Sequence, residues 1–139
     1  MIEAYIDGRS FNDQGSGFSV MLRSYSHVWI RGFLCGKKTT NFLDLLAIKF
    51  ILLSIKDKNA QIILRFRNRY VGHIFAKLSN GSWKKKDLDK HKEFIEEVRN
   101  LTLQYPNLKL KSDPDHNIFK DLLSRTEEMV RSKTPYYEK

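Results

Sequence analysis

A short, uninterrupted apolar run near the middle of the chain limits the folds that this sequence can adopt. Ile62, Ile63 and Leu64 stand side by side within the β-prone stretch 60–66. A strand with no polar face is typical of the middle of a parallel sheet, where helices cover both faces and neither meets water. We therefore expect an α/β protein with helices on both faces of a sheet.

The segment before this strand predicts a long buried helix. From Asn41 to Ile55 the apolar residues are too dense, and the segment is too long, for a strand, and Thr40 or Asn41 could serve as its N-cap. The other predicted strands are 2–6, 18–23, 28–35 and 108–111, and the other predicted helices are 70–78, 87–104 and 118–130. The predicted order is β-β-β-α-β-α-α-β-α, with a mixed five-stranded sheet.

Length and composition indicate one folded unit. A chain of 139 residues with 41% apolar composition can bury one hydrophobic core. We expect a single domain over residues 1–131. Residues 132–139 contain charges, a proline and two tyrosines, and are expected to form a flexible tail.

The charge balance favours a polyanionic partner. The chain has 25 Lys plus Arg against 16 Asp plus Glu, a net charge of +9, which suits nucleic acid. An anionic membrane surface is the weaker alternative and is not the expected partner, and no apolar run approaches the roughly 18 residues that a membrane-spanning helix needs. Cys35 is the only cysteine, which excludes an internal disulfide and fits a reducing, intracellular compartment.

Three aspartates are placed as carboxylate ligands could be. Asp7 is followed by Gly8 at the end of the first predicted strand, Asp44 lies in the long helix and Asp121 in the last helix. Each also has a purely structural interpretation. Asp7-Gly8 could be an ordinary turn, Asp44 could cap a helix that begins at Asn41, and Asp121 could be a surface charge.

The predicted order and these aspartates together resemble type 1 ribonuclease H over nearly the whole chain. The matching motifs are Asp7-Gly8, Gly15-Ser16-Gly17-Phe18 before a hairpin, Thr39-Thr40-Asn41 before the helix, and Asn117 four residues before Asp121. The resemblance implies a ribonuclease H-like fold. It also implies that Asp7, Asp44 and Asp121 are catalytic carboxylates that bind Mg²⁺ or Mn²⁺.

The sequence departs from the family's pattern at the implied metal site. Arg67-Asn68-Arg69-Tyr70-Val71 aligns with a family segment that begins with a catalytic acid, so Arg67 stands in place of that acid. A guanidinium stays protonated and repels a divalent ion. Asp44 replaces a glutamate, and the family's flexible histidine loop is not recognisable because His116 is displaced. These departures predict impaired catalysis.

A second part of the resemblance concerns nucleic-acid contacts. Trp83, followed by Lys84, Lys85 and Lys86, looks like the basic protrusion with which the family grips the DNA strand of a hybrid. The same residues could instead be a solvated helix start with one packed ring. Asn41, Arg67 and Arg69 are also expected to contact nucleic acid.

The leading interpretation is a ribonuclease H-like domain that binds RNA–DNA hybrid or structured RNA, with hydrolysis weak or lost. One alternative is a working metal-dependent hybrid endonuclease that uses Asp7, Asp44 and Asp121 and tolerates Arg67. Another is a protein-interaction module on the same fold. The sequence leaves open whether the chain acts alone or within a larger protein assembly, for example beside a polymerase.

Overall fold

The computed structural model of this chain describes residues 1–25, 27–80 and 92–138. The strands are β1 (Ile2–Ser10), β2 (Ser16–Ser24), β3 (His27–Gly36), β4 (Ile62–Phe66), β5 (Leu108–Ser112) and β6 (Tyr137–Glu138). The helices are α1 (Thr40–Ser54), α2 (Arg69–Asn80), α3 (Lys92–Leu103) and α4 (Ile118–Ser132), with one 3₁₀ turn at Asn12–Gln14. None of the described helices has the length and apolar character needed to cross a membrane.

The strands form one mixed sheet in the order β5-β4-β1-β2-β3-β6. The β1-β2-β3 meander is antiparallel, whereas β4 lies between β1 and β5 and runs parallel to both. The predicted α/β class, the mixed sheet and the central parallel strand at 62–66 are confirmed. The predicted order of the first nine elements is also found among the described residues.

The prediction of five strands is wrong, because a sixth strand follows α4. Tyr137 and Glu138 pair with Arg31 and Ile30 of β3, within the segment predicted to be a flexible tail. The approach of this segment depends on Gly32, whose amide donates to the Tyr136 carbonyl. A β-carbon at Gly32 would lie 2.3 Å from the Tyr136 ring, so the missing side chain leaves the space that the tyrosine fills.

Helices cover both faces of the sheet, as expected, and each face has its own core. Alternate residues of β1 point to opposite faces. Ala4 and Ile6 join the larger core with α1, while Tyr5 joins a smaller one with Phe119 of α4. Full burial of one large apolar side chain is worth about 1.5–3 kcal/mol, so the larger core supplies most of the stabilisation.

The long helix α1 is buried along most of its length, as the dense apolar pattern predicts. Its N-cap is Thr39, whose side-chain oxygen accepts a hydrogen bond from the Phe42 amide. The cap therefore precedes the predicted Thr40 or Asn41. This excludes the capping interpretation of Asp44, which lies beyond the first turn of the helix.

Strand β1 is longer than predicted, and this changes the meaning of Asp7-Gly8. The strand was expected to end there, but it continues to Ser10 and stays paired with β2. A β-carbon at Gly8 would lie 2.6 Å from Cβ of Leu43 and 2.9 Å from a carboxylate oxygen of Asp44. Gly8 therefore lets α1 pack closely on the strand, and the turn interpretation is wrong.

Trp83 and Lys84–Lys86, predicted to form a basic protrusion, lie outside the described residues, as do residues 87–91 of the predicted helix. The described part of that helix, α3, contributes Ile95 and Val98 to the larger core.

Candidate functional site

A polar cavity of about 400 Å³ lies where the parallel pairing of β1 and β4 ends. The last paired residues are Ile6 and Phe66, so Asp7 and Arg67 follow at the carboxyl ends of neighbouring strands. Open α/β sheets commonly bind ligands at this end. The remaining lining residues come from β1, the start of α1 and the β4–α2 connection: Gly8, Arg9, Thr40, Asn41, Asp44, Asn68 and Arg69.

Asp7 forms an ion pair with an arginine of its own strand. The residue is only 4% exposed, and its Oδ2 accepts a hydrogen bond from Nε of Arg9 at 3.2 Å. Burial raises the pKa of the Asp7 carboxyl, while the charges of Arg9 and Arg67 oppose that rise. The carboxylate thus already has a cation in contact with it.

Asp44 is held by the backbone of β1. It is 3% exposed, and its Oδ1 accepts a hydrogen bond from the Gly8 amide at 2.8 Å. Burial raises the pKa of the Asp44 carboxyl to about 7, against the opposing effects of hydrogen bonds from the Asn68 side chain and the Gly8 amide. Near neutral pH a substantial share of this carboxyl is therefore protonated and carries no charge.

Asn68 links the starts of two helices at the cavity. Its Nδ2 donates to Oδ1 of Asn41 at the beginning of α1, at 2.8 Å. Its Oδ1 accepts from the Tyr70 amide in the first turn of α2, at 3.0 Å. One side chain thus fixes where the amino-terminal ends of α1 and α2 lie relative to each other.

Arg67 and Arg69 differ from Arg9 in their partners. Within the described ranges, neither of these two arginines has a carboxylate at ion-pairing distance. Both line the cavity. The Asp7 carboxylate, already paired with Arg9, is also within electrostatic range of Arg67.

The structure does not bring the third predicted carboxylate to this cavity. Asp121 lies in the first turn of α4, with its side chain 53% exposed, and its Oδ2 accepts from Nε of Arg125 at 2.9 Å. Arg125 also contacts Glu138 of β6 at 2.8 Å. Asp121 is thus engaged in a surface ion-pair network, and it is not among the residues that line the cavity.

The loop before α4 is also occupied by other contacts. Nε2 of His116 lies 3.5 Å from the hydroxyl of Tyr5, and its Nδ1 accepts from the Ile118 amide. Asp113 of the same loop lies with its Oδ2 3.4 Å from Nε of Arg65. The Tyr5 hydroxyl is itself bonded to Glu3, Arg23 and Arg65. This partly buried network holds the loop against the sheet.

The cavity residues do not fit a pair of divalent ions. Such a pair needs several converging, deprotonated carboxylates, since hard cations prefer charged oxygen ligands. Here Asp7 is bound to Arg9, and Asp44 is largely desolvated with a raised pKa. In the part of the chain that the structure describes, no three His, Cys, Asp or Glu side chains are grouped so that they could hold a metal ion.

Two residues that line the cavity, Arg9 and Asn68, were not among the predicted site residues. Arg9 is two residues from Asp7 on the same strand, and residues at this spacing point to the same face. If the predicted strand had been continued past Gly8, this spacing would have placed Arg9 beside Asp7. Asn68 was noted only as part of the Arg67–Val71 segment, and its role depends on the approach of α1 to α2, which local sequence does not reveal.

No protein-family model and no curated protein matches this sequence. Solved structures do match its fold. RNase H1 of the halophilic archaeon Halobacterium salinarum NRC-1 is 19% identical, with a TM-score of 0.70, over 96% of this chain and 98% of that one. LC11-RNase H1, solved in complex with an RNA/DNA hybrid, is 19% identical, with a TM-score of 0.64, over 92% of both chains.

The RNase H domain of PFV, solved in solution, is 14% identical to this chain, with a TM-score of 0.62, over 95% of this chain and 91% of that one. The class of protein defined by the sheet order and these likenesses is the ribonuclease H-like α/β fold. More particularly, the chain has the fold of type 1 ribonuclease H, and the resemblance found in the sequence is confirmed at that level.

Proposed function

We propose that this chain is a ribonuclease H-like domain that binds RNA–DNA hybrid or structured RNA, with hydrolysis weak or lost. The observation that carries the proposal is the ion pair between Arg9 and Asp7, 3.2 Å apart inside the cavity. This ion pair supports weak or absent metal binding, because Arg9 already neutralises the Asp7 carboxylate.

Coulomb's law indicates how strongly these arginines oppose a metal ion. A unit positive charge about 4 Å from a divalent ion costs roughly 8 kcal/mol at an effective dielectric constant of about 20. Arg67 could reduce that cost by turning away. Arg9 could turn away only by breaking its ion pair with Asp7 as well. Even a fraction of the roughly 8 kcal/mol repulsion is enough to prevent a divalent ion from binding.

The case for nucleic acid rests on charge and on the fold's neighbours. The net charge of +9 favours contact with phosphates, which supply most of the affinity in such interfaces. LC11-RNase H1 and the foamy viral protease-reverse transcriptase were solved in complex with RNA/DNA hybrids, although this chain spans only 19% of the latter. The predicted grip by Trp83 and Lys84–Lys86 belongs to the same proposal.

The test combines cleavage and binding on one substrate. An end-labelled RNA–DNA hybrid is incubated with the native chain and with Asp7→Asn, in Mg²⁺ and in Mn²⁺, and an active ribonuclease H shows that the substrate can be cut. We expect the native chain and Asp7→Asn to cleave the hybrid equally little. In a parallel salt titration, log K for hybrid binding should fall steeply with log salt.

Two results would overturn the proposal in different ways. Cutting by the native chain at a rate comparable to that of the active ribonuclease H, and lost in Asp7→Asn, would make the protein a working nuclease. Failure to bind hybrid or structured RNA even at low salt would remove nucleic acid as the ligand, and would direct attention to protein partners.

A further inference from the structure

The described residues that line the cavity at the ends of β1 and β4 include three arginines and only two aspartates. Of its three arginines, Arg9 is bound to Asp7, whereas Arg67 and Arg69 have no ion-pair partner among the described residues. A guanidinium presents several N–H donors in one plane, which match the oxygens of a phosphate better than an ammonium does.

Two helices begin at the same cavity. Thr40 and Asn41 at the start of α1, and Arg69 at the start of α2, are among its lining residues. The first amides of a helix have no acceptor within the helix and favour an anion. Neither helix has an acidic residue in its first turn, so no side chain of the helix itself supplies that negative charge.

The two carboxylates in the cavity, Asp7 and Asp44, do not cancel the preference of the helix ends for an anion. Arg9 neutralises Asp7, and Asp44 is directed to the Gly8 amide of β1. What remains is an open space of about 400 Å³, large enough for a phosphate with part of its sugar. It lies next to the guanidinium groups of Arg67 and Arg69, which have no ion-pair partner in the described part of the chain. The arrangement fits an anion and opposes a cation.

We propose that this cavity binds one backbone phosphate of the nucleic acid directly, through Arg67 and Arg69, with no divalent ion between protein and phosphate. Arg9 is a positioning residue, because it removes the repulsion that Asp7 would exert on the phosphate. The inference rests on the proposed function, since it assigns a ligand group to the same site. Binding of hybrid should therefore be independent of divalent metal.

The first arm of the test measures binding of a labelled RNA–DNA hybrid by fluorescence anisotropy in EDTA, over a series of salt concentrations. The native chain is compared with Arg67→Gln, Arg69→Gln and the control Lys56→Gln. Lys56 is exposed and lies between α1 and β4, at the opposite end of β4 from Arg67. Thermal unfolding of each variant shows that it is folded.

We expect Arg67→Gln and Arg69→Gln each to weaken binding about tenfold and to reduce the salt slope by about one unit, as loss of one phosphate contact does. Lys56→Gln should leave both unchanged. Adding Mg²⁺ at constant ionic strength should not strengthen binding. Hybrid binding that EDTA abolishes and Mg²⁺ restores would overturn the proposal.

The second arm uses inorganic phosphate in EDTA and follows backbone amides by ¹H–¹⁵N NMR. Saturable shifts at Thr40, Asn41 and Arg69 in the native chain, lost in Arg67→Gln and kept in Lys56→Gln, would support the phosphate site even if hybrid does not bind. Hybrid binding that is equally sensitive to Arg67→Gln and Lys56→Gln, without saturable phosphate shifts, would overturn the site and leave the proposed function standing.

Discussion

Arg9 and Asp7 lie on the same face of β1, two residues apart, with Nε of the arginine 3.2 Å from Oδ2 of the aspartate. This contact places a permanent cation against the carboxylate that the family resemblance assigns to metal binding. Arg67, at the end of the neighbouring strand, adds a second positive charge to the same cavity. Two arginines, Arg9 and Arg67, therefore oppose the binding of a divalent ion in this cavity.

Removing Arg67 alone should not create a metal site. We expect Arg67→Asp to gain little affinity for Mn²⁺, because Arg9 still neutralises Asp7. The double variant Arg9→Ser, Arg67→Asp should bind Mn²⁺ at least tenfold more tightly than either single variant, as measured by calorimetry. Lys56→Asp gives the same charge change elsewhere and is the control. Equal affinity in Arg67→Asp and the double variant would show that Arg9 is irrelevant.

Asp44 should make the protein less stable as pH rises. The pKa of this carboxyl is about 7 in the folded protein, above the ordinary aspartate value of 3.8, so the folded state holds the proton more tightly. The stability that this proton supplies is lost between about pH 4 and pH 7 and stays lost above. Asp44→Asn keeps an oxygen for the Gly8 amide and cannot ionise.

We therefore expect Asp44→Asn to raise the free energy of unfolding at pH 8 by up to roughly 4 kcal/mol, since each pKa unit is worth about 1.4 kcal/mol. The two proteins should differ little at pH 4. Urea denaturation at pH 4, 6 and 8 measures this. Parallel stability curves for the native chain and the variant would contradict a raised Asp44 pKa.

The order of elements and the two-sided sheet could be predicted because they depend on local patterns. The apolar run at Ile62–Leu64 predicts a central parallel strand, and the dense apolar segment at 41–55 predicts a buried helix. Both are found. Asp7, Asp44 and Arg67 were assigned to one site through the family resemblance, and all three line the cavity.

The features that were missed depend on contacts between distant segments. Gly8 looks like a turn residue in the sequence, and only the packing of Leu43 against it shows why a strand passes through a glycine there. Because the predicted strand ended at Asp7, the position of Arg9 on the same face as Asp7 was not predicted. The strand β6 has two residues, and it forms because Tyr136 fits over Gly32, which no local propensity indicates.

The lysine run at 84–86 should contribute to nucleic-acid affinity without giving a preference for particular nucleotide sequences. If the segment contacts phosphates, replacing Lys84, Lys85 and Lys86 by Gln should reduce the salt slope of hybrid binding by two to three units, about one for each lost contact. Replacing Lys56, Lys109 and Lys120 by Gln removes the same charge from other elements. Identical slopes for the two triple variants would mean that the run is an ordinary solvated surface.

Gly8→Ala should destabilise the fold and disturb the candidate site together. The added methyl group would lie 2.6 Å from Cβ of Leu43, so α1 must move away from β1 and lengthen the bond between the Gly8 amide and Asp44. Overpacking of this kind costs about 1–3 kcal/mol, which denaturant unfolding can measure.

Gly72→Ala is the matched control for this substitution. Gly72 lies within α2, where a methyl group would meet the Phe66 ring at 3.4 Å. Alanine favours a helix over glycine by up to about 1 kcal/mol, so this variant should be neutral or slightly more stable. If Gly8→Ala were equally well tolerated, the close packing of α1 on β1 could not be what requires glycine next to Asp7.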